Sequence, residues 1–530
     1  CHRCEVPISL GDRMTSVEAE DQAGRGRRRR PRREVSTAIR QPQLGRVVSS
    51  LPTFELVGAE GVERIHAASL KVLAEVGIDF LHEDARTVLK AAGATLGPEP
   101  ERVRFDPALV DHLVAQAPAQ FPLLSHVPER SVGFGGREMV FAAVASAPNV
   151  SGLGAPRRRG NFQDFEDLVR LGHMLNAVHI FGGYPVEPVD IDPRTRHLDC
   201  LRSFITLSDK PFHAYSLGRQ RITDALEMVR LAHGLTAEEL AAAPRLFTII
   251  NTSSPLRLDG PMIEGLMEMA RHGQIVVVTP FTLAGAMAPA TIPGALVLQN
   301  AEALAGICLV QATKPGAPVM YGGFTSNVDM KSGAPAFGTP EYAQATIVGG
   351  QLARRYNIPF RSSNANACNT VDAQAAYESS NSVWAASLAG CHLMMHAAGW
   401  MEGGLTASFE KMVVDAEILS SMAAFLKPLT VDDETLALDA ITEVGPGGHF
   451  FGAAHTLARY ETAFYAPILS DWRNFGAWTD AGAPDATQRA ASIARSLVDA
   501  HQPPDLDAGR LEALDAFIAK RREEGGAPPL

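Results

Sequence analysis

The side chains best suited to chemistry are concentrated between Tyr321 and Glu410. Three short apolar segments, at 318–323, 358–362 and 391–398, each lead there into a loop rich in Gly, Asn, Ser and aromatic residues. Loops of this composition add little to a packed core, whereas binding and catalytic groups are commonly carried on loops that a rigid scaffold holds. The three loops are therefore expected to carry a binding or catalytic site.

Aromatic and small polar residues dominate the expected strand ends. A single ring there would serve packing, but several converging rings would form a box that holds a quaternary ammonium group by cation–π attraction. Arg361 is the cation close to these loops, and Glu378 and Glu402 could add negative charge, although such carboxylates are commonly solvated or lie at helix N-termini. The candidate binding residues are Tyr215, Asn251, Phe281, Tyr321, Phe324, Arg361, Glu378, His396, Trp400 and Glu402. No catalytic residue is assigned from residue chemistry.

Metal and phosphate sites are not expected. The sequence has no H-E-x-x-H motif, no C-x-x-C pair in the central region and no carboxylate cluster at the expected strand ends. His213 and His392 lie within predicted strands, where a histidine is more commonly a core residue than a ligand. Hydrolysis through bound zinc is therefore not favoured.

The elements that would position these loops alternate between short apolar strands and longer amphipathic helices. Eight strands are predicted, each followed by a helix, at 139–145, 178–182, 212–216, 246–251, 274–279, 319–323, 358–362 and 392–396. Such alternation implies right-handed βαβ units and a parallel sheet. Eight units favour a closed (β/α)8 barrel of the TIM type, whose active site lies at the carboxyl ends of the strands. An open doubly wound sheet is the alternative, although Gly152 and Gly154 give only a weak Gly-rich turn.

Four regions are expected along the chain. They are a disordered basic N-terminal arm at 1–50, an N-terminal helical cap at 51–135, the barrel at 136–428 and a C-terminal helical extension packed on the barrel at 429–530. The arm carries seven arginines between Arg25 and Arg33, and the simplest interpretation is a solvated tail. The chain begins at Cys1, and Met14 offers a more ordinary start. The Cys1–Cys4 pair is therefore interpreted as the result of a start assigned too early rather than as a metal site.

Composition excludes several classes of protein. The chain is 46% hydrophobic and 20% charged, with a net charge of −11, so nucleic acid is not an expected partner. Six cysteines in 530 residues do not make a disulfide framework, which favours a reducing, cytoplasmic setting. The uncharged segment 274–299 is long enough to span a membrane, but three prolines interrupt it. A buried strand followed by a loop explains this segment better than a membrane span.

A long colinear set of residues resembles the trimethylamine methyltransferase family, the corrinoid-dependent methyltransferases that act on methylated amines. The resemblance covers about 51–522 and rests on Asn251-Thr252-Ser253-Ser254-Pro255-Leu256, Asn300-Ala301-Glu302, Tyr321-Gly322, Asp329, Lys331, Gly333-Ala334-Pro335, Gly338, Pro340-Glu341, Asp372, Gln374 and Phe409-Glu410. It implies a (β/α)8 enzyme that moves a methyl group from an amine nitrogen to the cobalt of a separate corrinoid protein. The implied partners are that corrinoid protein and a small methylated amine. A homo-oligomer is expected, and a tightly bound cofactor is not.

One departure from the family pattern affects the expected substrate. Family members that use trimethylamine carry pyrrolysine in the loop after the seventh strand, at a place equivalent to Asn364–Asn366, where this chain has ordinary residues. The chain therefore resembles the branch without pyrrolysine, whose members act on quaternary amines such as glycine betaine. A quaternary nitrogen already carries the positive charge that makes it a leaving group, so positioning and desolvation would suffice without a general acid. Arg361 or Lys331 would then pair with the betaine carboxylate.

Three alternatives stay open at this point. Trimethylamine itself could be the substrate, the protein could bind methylated amines without catalysis, or a folate could replace the corrinoid as methyl acceptor. The residues do not decide among them.

Overall fold

The computed structural model describes residues 39–528. The Arg25–Arg33 run, Cys1, Cys4 and Met14 lie outside the described residues. The described chain has a mixed α/β fold in which helices pack around a curled, largely parallel sheet.

The N-terminal part contains the expected helices together with short strands that the helical pattern did not predict. Its elements are β1 (Val47–Val48), α1 (Ala59–Lys71), β2 (Ile78–Phe80), α2 (Glu83–Ala91), β3 (Thr95–Leu96), β4 (Arg102–Arg104), α3 (Pro107–Val114), β5 (Phe121–Leu123) and β6 (Val132–Phe134). Strands β2, β3 and β4 pair in a small antiparallel sheet. The β5–β6 hairpin places Phe121, Leu123 and Phe134 against the inner face of the main sheet.

The central part alternates strands and helices. Its strands are β7 (Glu138–Ala143), β8 (Asn149–Gly152), β9 (Ala155–Arg159), β10 (Phe247–Thr252), β11 (Arg257–Leu258), β12 (Ile275–Ala284), β13 (Val319–Gly322), β14 (Phe324–Val328), β15 (Pro335–Ala336), β16 (Phe360–Ser363), β17 (Leu393–Ala398), β18 (Trp400–Met401) and β19 (Thr406–Ser408). Its helices are α4 (Phe162–Met174), α5 (Arg196–Leu207), α6 (Arg219–His233), α7 (Ala237–Ala242), α8 (Gly260–Arg271), α9 (Ile292–Thr313), α10 (Pro340–Arg355), α11 (Ala373–Leu388) and α12 (Phe409–Phe425).

Six of the eight predicted strands form one parallel sheet in the order β7, β17, β16, β13, β12 and β10. The predicted strands at 178–182 and 212–216 are not regular strands. Single parallel bridges connect these two segments with each other and with β7 and β10. The bridges join Ala142 to Ile180, Phe181 to Phe212 and His213 to Phe247. Pro211 and the Gly182–Gly183 pair flank the bridged residues and limit regular pairing, since proline lacks an amide donor and glycine weakens a strand.

The two faces of the sheet carry separate apolar layers. Val140, Phe247, Val277, Met320 and Leu393 belong to the inner layer, whereas their sequence neighbours pack against the surrounding helices. This alternation follows from the two-residue period of a strand. It also decides which side of the sheet each candidate residue faces.

Helix α9 is long and apolar enough to cross a membrane by length and composition alone. It lies instead against β12, α1 and α3, and 72% of its most apolar window is buried inside the protein. A helix that is apolar all round is expected in the core of a large domain.

The C-terminal part consists of six helices. They are α13 (Asp433–Leu436), α14 (Leu438–Val444), α15 (Ala454–Arg459), α16 (Phe475–Asp480), α17 (Ala486–Asp499) and α18 (Ala508–Glu523). The sequence pattern predicts one helix at 430–444, whereas the structure has two, α13 and α14, separated at Ala437, where the backbone adopts a φ of 50°. Helix α17 packs on α12 and α4, and α18 packs on α6.

Candidate active site at the carboxyl ends of the parallel strands

Phe324 is the centre of an aromatic cluster at the carboxyl ends of the strands. Strand β14 pairs in parallel with the end of β12, and this register sets Phe324 beside Phe281. The ring centroids around that of Phe324 are those of Phe281 at 5.3 Å, Phe337 at 5.4 Å, Trp400 at 6.0 Å, Tyr342 at 6.1 Å and His396 at 6.4 Å. Of the predicted aromatic residues, Phe281, Phe324, His396 and Trp400 therefore converge. Phe337 and Tyr342 complete the cluster and were not predicted.

Arg361 brings a positive charge to this cluster. It pairs in register with Leu393, an inner-layer residue, so its side chain lies on the inner face of the sheet. The guanidinium carbon lies 5.4 Å from the centroid of the Phe324 ring. Its Nη1 donates to the carbonyl of Gly323 at 3.4 Å, and its Nε is buried without a partner.

No ion pair neutralises Arg361 within residues 39–528, although the side chain is only 3% exposed. Burial lowers the pKa of Arg361 to about 10, so the group stays cationic at neutral pH. A buried charge without a counter-ion is unfavourable unless a ligand compensates it. This arrangement therefore suits an anionic group on a bound molecule.

His396 lies at the end of β17, where the pairing with β7 changes register between Met394 and Ala398. Its φ of 53° is uncommon for a residue with a side chain, and such conformations tend to occur at functional sites. The imidazole stacks on Trp400 at 5.4 Å, and its Nδ1 is buried without a partner. Burial, followed by the charge of Arg361, lowers the pKa of His396 to about 3. His396 is therefore a neutral ring beside the cluster.

Further small polar groups line the inner face near Arg361. Thr279 and Ser363 follow the inner-layer alternation of their strands, and both hydroxyl oxygens are buried without a partner. Gly322 lies between them, and a Cβ at this position would sit 2.2 Å from the Thr279 hydroxyl oxygen. Asn251, the register partner of Thr279, is exposed at the open end of the sheet. Together these residues place polar donors and acceptors on the inner face of the sheet near Arg361.

Tyr215 belongs to a neighbouring aromatic group rather than to the Phe324 cluster. Its ring lies 4.4 Å from that of Tyr184 and 4.6 Å from that of His213. Its hydroxyl accepts the amide proton of Tyr184 at 3.0 Å and shares a 2.7 Å hydrogen bond with Ser146. Tyr215 is thus held at the same end of the sheet with its oxygen already engaged.

Tyr321 is not brought into the cluster. Its side chain points to the outer face of the sheet, where its hydroxyl donates to Oδ1 of Asn300 at 3.0 Å and accepts from Gln299 at 3.3 Å. The reason is strand parity, since the inner-layer residue of β13 is its neighbour Met320. Tyr321 therefore fastens β13 to α9.

The two candidate carboxylates position loops instead of facing the rings. Glu378 accepts the amide protons of Ala367 and Cys368 at 2.9 and 3.0 Å, which shapes the loop after β16. Glu402 pairs with Arg157 at 2.7 Å on the β9 strand. Neither contacts the Phe324 cluster through these bonds.

Asn364 and Asn366 are fully buried in a polar network below the cluster. Asn366 donates to Asn364 at 3.1 Å, and Ser379 links both residues at 3.0–3.1 Å. The same Ser379 hydroxyl contacts Lys411 and Asp415, whose ion pair is 2.5 Å long and completely buried. Sequence reasoning did not single out this pair; the i,i+4 spacing on α12 indicates that the two side chains can pair, but not that they are buried.

The other Asp415 oxygen ties this network to the aromatic cluster. It accepts the amide proton of Gly399 at 2.8 Å, directly before Trp400. The loop after β16 and the loop after β17 are thus fixed to the same ion pair. Across the described residues, 39–528, no three His, Cys, Asp or Glu side chains are grouped to hold a metal ion.

Acid should destabilise the protein through its buried histidines. Burial lowers the pKa of His213 and of His396 to about 3, and Nε2 of His213 accepts the Ile249 amide proton at 3.1 Å. The unfolded chain binds protons below about pH 6.5 while these native side chains do not, so stability present above that pH is lost as the pH falls. Each such histidine should cost about 1.4 kcal/mol at pH 5.5. Urea titrations at pH 7.5 and 5.5 measure the change, and His213→Gln should show a smaller change than the unmodified protein.

Comparison with known proteins places the chain in a family. The family described as trimethylamine methyltransferase (MTTB) matches residues 23–526. Glycine betaine methyltransferase of Desulfitobacterium hafniense is 37% identical over 477 residues, covering 90% of this chain and 99% of that protein. Trimethylamine methyltransferase MttB1 of Methanosarcina mazei is 28% identical over 487 residues, covering 88% and 95%. Monomethylamine methyltransferase (MtmB) of Methanosarcina barkeri, a solved structure, is 11% identical with a TM-score of 0.47, covering 86% and 90%. The family prediction made from the sequence is confirmed, and the chain belongs to the trimethylamine methyltransferase family.

Proposed function

We propose that the protein transfers a methyl group from a quaternary amine of the glycine betaine type to the cobalt of a corrinoid protein. The enzyme class predicted from the sequence, a methyltransferase, is confirmed by family membership. The single observation that supports the substrate is the buried, unpaired guanidinium of Arg361 beside the Phe324 ring. One small space then offers a cation to a carboxylate and aromatic faces to a quaternary ammonium group.

The aromatic cluster suits the ammonium end of such a zwitterion. Ring faces attract a cation that has lost its water, with a strength of about 2 kcal/mol or more when the site is desolvated. The neutral state of His396 adds to this fit, because an imidazolium ion would repel the substrate. The rings also exclude water, which would otherwise screen the charge of Arg361.

The proposed reaction needs no proton transfer by the protein. When the bond between nitrogen and methyl carbon breaks, its electron pair stays on nitrogen, and a neutral tertiary amine is released. A cobalt(I) corrinoid supplies the electron pair that forms the new bond to the methyl carbon. The protein's own contribution is to hold a methyl group of the quaternary nitrogen in line for transfer and to keep water away.

The open end of the sheet fits an acceptor carried by another protein. Met330 and Leu405 are 75% and 52% exposed there, in loops that follow β14 and β18. Such side chains give a partly apolar rim around the exposed Asn251. This rim is the surface on which the corrinoid protein would dock.

Trimethylamine is a weaker candidate for two reasons. It has no carboxylate, so it would leave Arg361 unpaired, and the family resemblance implies pyrrolysine in the trimethylamine enzymes where this chain has Asn364 and Asn366. Those two asparagines are hydrogen-bonded within the buried network around Ser379. They are suited to holding the loop rather than to activating a neutral amine.

We also propose the architecture and setting in which this chemistry runs. The three single bridges around Ile180 and Phe212 support closure of the sheet into a (β/α)8 barrel. Around it we place a cap at 51–135 and a helical extension at 429–530, with the barrel at 136–428. The absence of a disulfide framework among six cysteines supports a cytoplasmic location.

The test is a direct assay of the purified chain with cob(I)alamin and a panel of amines. We expect dimethylglycine to appear from glycine betaine, and little dimethylamine to appear from trimethylamine. The same substrates with a folate acceptor serve as the control for the acceptor. The proposal would be contradicted if none of the betaines lost a methyl group. Thermal stabilisation by a betaine without formation of product would indicate a binding protein.

A further inference from the structure

A cavity lies at the amino-terminal end of the parallel strands, at the opposite end from the candidate active site. Its volume is about 380 Å³, which is typical of sites that hold small molecules. One wall is Val140, near the start of β7, and another is the segment 43–47. Val178 and Lys210, which precede the two bridged segments, form the rest of the boundary described here. The cavity is thus separate from the Phe324 cluster.

Lys210 brings a buried positive charge to this cavity. The residue is 3% exposed, and its Nζ donates to the carbonyls of Gly172 and Leu175, at the end of α4, at 2.7 and 2.9 Å. An ammonium group has three N–H donors, so one remains after these two bonds. Burial, followed by the charge of Arg130, lowers the pKa of Lys210. The charged form is therefore unfavourable here unless an anion offsets it.

His179 adds a buried hydrogen-bond donor to the same cavity. Its Nδ1 accepts the amide proton of Phe141 at 3.0 Å, so in the neutral imidazole the hydrogen is on Nε2. Burial, followed by the charges of Lys210 and Arg130, lowers the pKa of His179 to about 3, which keeps the ring neutral at neutral pH. The Nε2 atom is buried and has no partner within residues 39–528. A ligand that accepts hydrogen bonds would satisfy it.

The two arginines that line the cavity have carboxylate partners. Arg46 pairs with Glu138, and Nε of Arg130 lies 3.0 Å from Oδ1 of Asp209. Glu129 also lines the cavity, but it is exposed to solvent, where its charge is screened. The buried ammonium is therefore the charge that these groups leave uncompensated. A water molecule would bond to it without neutralising it, whereas an anion would do both.

We propose that this cavity binds a small oxyanion, a carboxylate or a phosphate, with Lys210, His179 and Arg130 as the hydrogen-bond donors. An oxyanion presents several acceptor lone pairs at once, and its bonds to ammonium and guanidinium groups are of the stronger, charge-assisted kind. A metal cation is not suited to the cavity, because donors and positive charges would face it. This inference does not rest on the proposed reaction.

The experiment is isothermal titration calorimetry of the full chain with inorganic phosphate and, separately, with acetate. Arg130→Gln and Lys210→Met should each weaken binding by roughly 10- to 150-fold, the loss expected for one hydrogen bond to a charged group. Arg137→Gln is the matched control, since this exposed arginine lies directly before β7 and does not line the cavity. Binding should also persist in Arg361→Gln, which removes the cation of the candidate active site.

Each outcome decides the inference. Binding of acetate would identify a carboxylate site, and binding of phosphate alone would identify a phosphate site. Circular dichroism verifies folding, and Arg130→Gln decides alone if Lys210→Met does not fold, because the Arg130 side chain is 39% exposed and tolerates replacement better. The inference is overturned if neither anion binds at millimolar concentration, if Arg130→Gln binds as tightly as the unmodified protein, or if Arg361→Gln abolishes binding.

Discussion

Replacing Arg361 with glutamine should lower kcat/KM for glycine betaine by roughly 30- to 4,000-fold, corresponding to about 2–5 kcal/mol for the loss of one member of a buried charge pair. Glutamine keeps a polar side chain on β16 but removes the charge that the substrate carboxylate needs. The loss should appear mainly in KM, since Arg361 binds the end of the substrate that does not react. The assay is dimethylglycine formation with cob(I)alamin.

A measurement of stability distinguishes the loss of substrate binding in Arg361→Gln from damage to the fold. The guanidinium is buried without a counter-ion, so its removal should leave the unfolding midpoint unchanged or raise it. Lys331→Gln is the matched control, because Lys331 lies on the exposed loop that Asp329 and Ser332 shape. If KM were unchanged in Arg361→Gln, or raised only in Lys331→Gln, Arg361 would not be the residue that binds the substrate carboxylate.

Replacing Asp415 with alanine should cost about 3–5 kcal/mol of stability, because it leaves the Lys411 ammonium buried without its partner. Both side chains are fully buried, and their ion pair is 2.5 Å long. The substitution also removes the acceptor for the Gly399 amide. Chemical denaturation, followed by tryptophan fluorescence, measures the change.

Replacing both Lys411 and Asp415 tests whether the unpaired buried charge causes the loss of stability. Lys411→Met combined with Asp415→Asn eliminates both charges while the asparagine can still accept from Gly399, so most of the lost stability should return. Lys411→Met alone should be as harmful as Asp415→Ala, since it strands the opposite charge. Single variants that denature like the unmodified protein would show that the pair does not hold these loops.

The helices of the central part could be placed from sequence because their ends carry local signals. Thr339 and Asp372 each accept an amide proton of the helix that follows, and Pro340 opens α10. The sequence pattern predicts these two helices at 340–355 and 372–388, and the structure has them at Pro340–Arg355 and Ala373–Leu388. Such capping is encoded within a few residues, so helix ends can be predicted without knowledge of the tertiary fold.

The site was predicted less completely because it depends on which face each strand turns inward. The structure brings Phe324 and Arg361 together, but Tyr321 lies on the opposite face, and a parity error of one residue suffices for that. Phe337 directly follows β15, and Tyr342 lies in the first turn of α10. Neither position stands out in an apolar strand pattern. The burial of Lys411 and Asp415 was also hidden, since charged i,i+4 pairs on helices are usually solvated.

The β5–β6 hairpin determines how molecules can reach the site. Phe121, Leu123 and Phe134 cover the amino-terminal end of the inner layer. Under the proposed function, the methylated amine and the corrinoid protein would then both approach from the carboxyl end. Once the larger molecule was seated there, the smaller one could neither enter nor leave, so the amine would bind first and the demethylated amine would leave last.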